Sequence, residues 1–145
     1  MIAVDTNLLF AWLNRDHASH AAAAAWMSGQ GTNPEIVLCE LCLVELYGLL
    51  RNPSVVQRPM DGPAAVALIQ RLRGHPHWEL VDYPGGLMNS VWAAASLPGF
   101  ARRRIYDARL AQALRQYGVA ELATTNVKDF EGFGFVRVWN PLEKV

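Results

Sequence analysis

Little in this chain of 145 residues would staple it or carry it across a membrane. Cysteine occurs twice, as Cys39 and Cys42. Two cysteines without an export signal point to a reducing compartment. The opening MIAVDTNLLF has an acid at position 5 and no basic leader, so it does not read as a signal peptide. No apolar run approaches the roughly 18–20 residues that cross a bilayer. A cytoplasmic protein without a membrane partner is expected. Charge of either sign is scarce: charged residues make up 18% and the formal net charge is +0. That balance neither demands nor forbids nucleic acid, so partners must be argued from local patches. Hydrophobic residues reach 52%, which excludes disorder. The length fits a single domain over 1–145 with a core that needs no staples.

Along the chain, short apolar runs alternate with helical stretches. Ile2 to Val4 reads as a buried strand ending on Asp5. A helix is expected from Thr6 to about Asn14, with Asp5 or Thr6 as its cap. HASHAAAAAWMSG follows; its alanines favour helix and Gly29 and Gly31 end it. Ile36 to Leu38 reads as a second strand. Cys39 to Arg51 has helical length and is apolar almost all round, which predicts burial. Asp61-Gly62-Pro63 reads as a cap and a helix-starting proline before Ala64 to Arg73. Glu79 to Val81 is a third strand, Leu87 to Ser96 a helix, and Arg104 to Tyr117 a helix closed by Gly118. Glu121 to Ala123 and Phe135 to Val138 are strands four and five. This alternation predicts βαβ units, hence an α/β fold with a mostly parallel sheet covered on both faces.

In such a sheet ligands bind beyond the carboxyl ends of the strands. Asp5 falls there after the first strand, and Asn126 and Asp129 after the fourth. Asp107 sits near a helix start, with Leu110, Ala111 and Leu114 at the following helical positions. It therefore lies on an apolar stripe, where a carboxylate is costly unless paired, capped or bound to a cation. Glu45 has Leu41, Cys42 and Leu49 around it at helical spacing. Each acid also has an ordinary reading: a cap for Asp5, a dipole partner for Asp107, a solvent-facing acid for Glu45, a loop acid for Asp129. Their joint occurrence carries the functional reading. Two carboxylates about 5 Å apart repel by about 3 kcal/mol at an effective dielectric of 20. A cluster of them recruits protons or a cation. Oxygen-only ligands favour Mg2+ or Mn2+, which suits phosphodiester hydrolysis.

The stretches IAVDTNLL, CLVELYGLL, YDARLAQALRQYG and LATTNVKDFEGFGFVRVWNP together resemble PIN-domain ribonucleases, and within them the VapC-type toxins of type II toxin–antitoxin pairs. DHASHAAAAAW, from Asp16 to Trp26, matches a further motif of one branch. The resemblance spans the whole chain. It implies a three-layer α/β/α domain around a parallel sheet of about five strands, a homodimer, and an antitoxin partner. It also implies an Mg2+- or Mn2+-dependent endoribonuclease acting on RNA of the tRNA or rRNA class. Asp5, Glu45 and Asp107 match its three acids, with Asp5 and Asp107 as metal ligands. The fourth corner is divided between Asn126, a neutral oxygen donor, and Asp129, the favoured of the two as a catalytic acid. Thr6, Asn7, Thr125 and Asn126 match groups that orient the acids or the substrate phosphate.

Other features compete. Arg102, Arg103 and Arg104 precede the Asp107 helix; cations there oppose its dipole, and an RNA backbone would reward them. A solvated basic turn is the plainer reading. Phe100 and Tyr106 have the chemistry to stack on bases, but core packing is the expectation. Cys39 and Cys42 form a CxxC within a leucine-rich helix, which reads as packing rather than redox chemistry. His17 and His20 read as structural or surface residues. Three alternative functions remain at this level. A PIN-like module that binds RNA or a partner without cleavage would have Asn126 as the mark of a degenerate site. An aspartate-based phosphatase would want a second aspartate at position 7, where Asn7 stands. A phospho-accepting receiver would want paired acids at the first strand and a lysine on the last strand, and Lys128 lies in a loop.

Overall fold

A computed structural model of the chain describes residues 1–144. Its elements are β1 (Ile2–Val4), α1 (Thr6–Leu13), α2 (His20–Gly29), β2 (Ile36–Cys39), α3 (Glu40–Leu50) and α4 (Gly62–Arg73). They continue with β3 (Glu79–Val81), α5 (Leu87–Ala95), α6 (Arg104–Gln116), β4 (Glu121–Ala123), a 3-10 turn (Val127–Phe130) and β5 (Arg137–Trp139). The five strands form one sheet in the order β3-β2-β1-β4-β5, every pair parallel. Among the described residues no helix is long and apolar enough to cross a membrane.

Strand alternation divides the core into two layers. Val4, Leu38 and Ala123 face one cluster, built with Leu8, Leu9, Leu43 and Leu46 from α1 and α3. Ala3, Val37 and Leu122 face the other, built with Leu110, Ala111 and Leu114 from α6. Helices therefore cover both faces of the sheet, as the α/β/α expectation requires. β2, IVLC, is buried along its whole length, which is why it reads as a continuous apolar run rather than an alternating one. Asp61 caps α4 as expected, its Oδ1 accepting from the Ala64 N–H at 2.8 Å.

The strand order places the site. From β1 the chain winds outward through β2 to β3, then returns to the other side of β1 to lay down β4 and β5. The order thus reverses between β1 and β4. At such a reversal the connections leave in opposite directions and open a crevice at the carboxyl ends of the two strands. Asp5 and Thr124 are the residues that follow β1 and β4.

Two expectations need correction. The fifth strand is Arg137–Trp139 rather than Phe135 to Val138. Gly132 and Gly134 both adopt positive φ, which prolongs the turn. Phe135 then packs on the α6 side of the core, and Val136 is left 83% exposed. The second concerns α3, which is not buried all round: Val44 is 70% exposed and Glu45 also faces out. A helix apolar on every side offers no polar stripe to show which face is open.

Candidate active site

Asp5 follows β1 and caps α1. It is only 7% exposed. Its Oδ1 accepts from the Thr6 N–H at 2.8 Å, and its Oδ2 accepts from the Thr124 hydroxyl at 2.7 Å and the Asn7 amide at 3.3 Å. The β1–β4 pairing continues past the strands through Asp5 N–H to the Ala123 carbonyl at 3.0 Å, which sets the two side chains beside each other. Burial raises the Asp5 carboxyl above the ordinary range. The Thr124 and Thr6 hydrogen bonds oppose that rise, and the charges of Glu45 and Asp129 add to it.

Glu45 arrives from α3, which starts directly where β2 ends. Asp107 arrives from the first turn of α6, above the buried Leu110, Ala111 and Leu114. Asp5, Glu45 and Asp107 line one cavity of about 540 Å³ together with Leu41, Cys42 and Leu49, the apolar neighbours that the helical spacing assigned to Glu45. Both helical acids are also raised. For Glu45 burial leads and Asp107 adds, against the Thr6 hydroxyl and Arg109. For Asp107 burial leads, then Asp129 and Asp5, against Arg104. Three of the four acids named from sequence thus line one cavity.

The fourth corner is shared. Asn126 stands on the cavity wall, while Asp129 lies on the 3-10 turn, exposed and off the wall. Its charge still acts on both Asp5 and Asp107. Buried Phe130 anchors that turn beneath the site.

Thr6 is buried, its hydroxyl donating to the Cys42 carbonyl at 3.3 Å, which ties α1 to α3. Asn7 spans the crevice: its amide nitrogen donates to Asp5 and, at 3.1 Å, to the Thr124 hydroxyl oxygen, and its carbonyl accepts from the Thr125 N–H at 3.2 Å. The Thr125 side chain is exposed. Thr124, which sequence reasoning passed over, is fully buried. It donates to Asp5 and accepts from Asn7 and from the Asn126 N–H at 3.0 Å. Its signal was its place immediately after β4.

The basic turn divides. Arg102 and Arg103 are exposed. Arg104 instead donates to the Glu131 carbonyl and lies over the Phe133 ring at 4.6 Å, holding the start of α6 to the turn that carries Asp129. A different cation reaches the cavity: Arg109 lines it, and its Nε is buried without a hydrogen-bond partner among the described residues. Tyr106 also lines the cavity and is 68% exposed, so it does not pack in the core as expected. Cys39 and Cys42 are buried free thiols, both pushed up chiefly by burial, which fits packing rather than redox chemistry.

The donor set bears on whether a metal ion fits. The cavity offers carboxylate and amide oxygens beside one imidazole, His17, whose Nδ1 already accepts from the Ser19 N–H, and Cys42 stays protonated. That is the chemistry of a hard cation. Among the described residues no three acids, histidines or cysteines stand close enough to hold an ion between them. An ion held by one or two carboxylates, with water in its other positions, matches how Mg2+ is usually bound. The raised carboxyls fit as well, because a cation would relieve the charges that disfavour their ionised forms.

Comparison with known proteins gives the family and the fold. Residues 2–135 match the PIN domain family. The chain is 47% identical over 142 residues to the protein named ribonuclease VapC24 of Mycobacterium tuberculosis, covering 98% of this chain and 97% of that one. Two solved structures share the fold at low identity. One is Mycobacterium tuberculosis VapC20, described as a sarcin–ricin loop cleaving toxin, with a TM-score of 0.71, 22% identity, and 94% and 97% of the two chains covered. The other belongs to a toxin–antitoxin complex from Klebsiella pneumoniae, with a TM-score of 0.60, 17% identity, and 97% and 98% covered.

Proposed function

This chain belongs to the PIN-domain family, and from that premise we propose that it is an endoribonuclease, the toxin of a toxin–antitoxin pair, cutting RNA of the tRNA or rRNA class. The observation that carries the reading is the convergence of Asp5, Glu45 and Asp107, from three separate elements, on one cavity at the point where the strand order reverses. The name of the 47% identical relative supports the same activity.

Asp5 and Asp107 would hold an Mg2+ or Mn2+ ion, with Asp129 adding charge and Asn126 a neutral oxygen. Bound there, the ion would offset charge on the phosphoryl group and lower the pKa of water. The chain's own groups do the rest. Thr6, Asn7 and Thr124 fix the Asp5 carboxylate so that it need not reorganise. Glu45, more open than Asp5 and raised, would take a proton from the attacking water. Arg109, the cation on the wall, faces the phosphate. Arg102 and Arg103, exposed beside the start of α6, suit the flanking RNA backbone.

The partners follow from exposed apolar surface. Val44 and Tyr106 border the cavity, and Val44, Tyr47, Val66 and Ile69 line a mostly apolar groove between α3 and α4 that Glu40, Gln70 and Arg73 edge. A cognate antitoxin and a second copy of the chain are the proposed occupants of such surfaces. The test is to induce the protein in cells and sequence the 5′ ends of RNA fragments. Discrete cuts in a tRNA or rRNA loop are expected, absent with Asp5→Ala. Identical fragments with and without induction would contradict the proposal.

A further inference from the structure

The two histidines of the alanine-run motif part company in the structure. His20 is a pin: its Nδ1 lies 3.0 Å from the Ala11 carbonyl, fastening α2 to α1. His17 lies between the helices, and its ring meets Phe10 edge to face at 5.6 Å. Its Nδ1 accepts from the Ser19 N–H at 3.0 Å. A ring nitrogen that accepts carries no proton, so in the neutral ring the proton sits on Nε2. That Nε2 has no hydrogen-bond partner among the described residues.

His17 also lines two cavities. One is the acidic cavity. The other, of about 320 Å³, adjoins it and shares both Asn7 and His17 as its wall. The second cavity has a different chemistry. Its further lining is Ser19, Thr125, Asn140 and Glu143 with Ala11 and Leu142, and among the described residues no lysine or arginine. A phosphate would meet one acid and no cation there. Neutral donors and acceptors beside one carboxylate suit instead the edge of a nucleobase, which presents both kinds of group. Sequence-selective RNA binding works mainly on unstacked bases splayed into such pockets.

We propose that this second cavity is a base-binding subsite, holding the nucleobase next to the scissile phosphate, with His17 Nε2–H as a donor to its edge. This rests on the ribonuclease reading of the adjoining cavity. His17 acts here as a specificity-determining residue and takes no part in bond breaking.

The test separates the two readings by using binding rather than cleavage. Asp107→Asn protein is used to select RNA from a pool of random sequence, alone and combined with His17→Phe or His17→Gln. Phe keeps the ring packing on Phe10 and removes the donor; Gln restores a donor. Expected is enrichment of particular bases at one position by about tenfold, the scale of one hydrogen bond. It should disappear with His17→Phe and return with His17→Gln. Enrichment unchanged by His17→Phe, or no base preference at any position, overturns the subsite. Cleavage by the wild-type protein is scored separately, and its failure would overturn the ribonuclease reading alone.

Discussion

The Thr124 hydroxyl donates to Oδ2 of Asp5 at 2.7 Å, joining the ends of the two central strands across the crevice. The bond favours the ionised carboxylate against the burial that disfavours it. Thr124→Val removes that donor, leaves the Asn126 N–H without its acceptor, and takes from the Asn7 amide one of its two acceptors, the other being Asp5. Hydrogen bonds to charged groups contribute about 1.5–3 kcal/mol, so cleavage should fall by roughly ten- to a hundredfold. The acid limb of the pH–rate profile should move to higher pH, because Asp5 then ionises later. Thr124→Ser should restore both. An unmoved acid limb in Thr124→Val would separate Thr124 from the carboxylate.

A second prediction concerns stability against pH. Asp5, Glu45 and Asp107 are all raised by folding. Just above the ordinary carboxylate range the folded chain therefore binds more protons than the unfolded chain. The stability these groups contribute is full below their unfolded values and is lost as pH rises through the folded ones. Asp5→Asn removes that loss. Metal-free Asp5→Asn should melt above wild type at pH 7, and the gap should close as the buffer is taken into the carboxylate range. One kcal/mol corresponds to about 2–4 °C in a chain of this size. A gap that widens in acid would reverse the assigned sign.

If the raised carboxyls are the cation site, Mn2+ should substitute for that mutation. Millimolar Mn2+ should raise the melting temperature of wild type at pH 7 by mass action. It should raise that of an Asp5→Asn, Asp107→Asn double variant much less. Equal shifts in both proteins would place the ion elsewhere.

Arg109 supplies the cation on the cavity wall, with its Nε free of protein partners among the described residues. Arg109→Ala should weaken RNA binding across all sequences. It should also flatten the salt dependence by about 0.7, the slope that one neutralised phosphate contributes on a single strand. Arg109→Lys should restore part of the affinity, since a point charge lacks the planar fork. Filter binding at several salt concentrations measures both. An unchanged salt slope in Arg109→Ala would remove Arg109 from the phosphate path.

Much of this arrangement was legible in the sequence, for identifiable reasons. Asp5 ends an apolar run, and Asp107 interrupts an apolar stripe, so both announce a carboxylate where burial costs most. The first four strands are short apolar runs bounded by turns or caps, and they fall within a residue of their expected places. β5 was displaced because two positive-φ glycines, Gly132 and Gly134, lengthen a turn that composition alone does not measure. The open face of α3 was hidden by its even hydrophobicity. Thr124 and Thr125 are adjacent and chemically alike; only the pairing of Asp5 with Ala123 decides which hydroxyl turns inward. Arg109 was hidden because its helical position says nothing of the cavity that Glu45 closes from another helix.

The central claim is that the carboxylates around this cavity cut RNA. Its most direct test is cleavage of a single-stranded RNA by purified wild type and Asp107→Asn, each folded by circular dichroism, with Mg2+ or Mn2+ and with EDTA. Cutting by wild type is expected only when the metal is present. Asp107→Asn should lose at least about a hundredfold, since it removes a group acting on charge in the transition state. Cutting by Asp107→Asn at the wild-type rate, or cutting undiminished by EDTA, would contradict the claim.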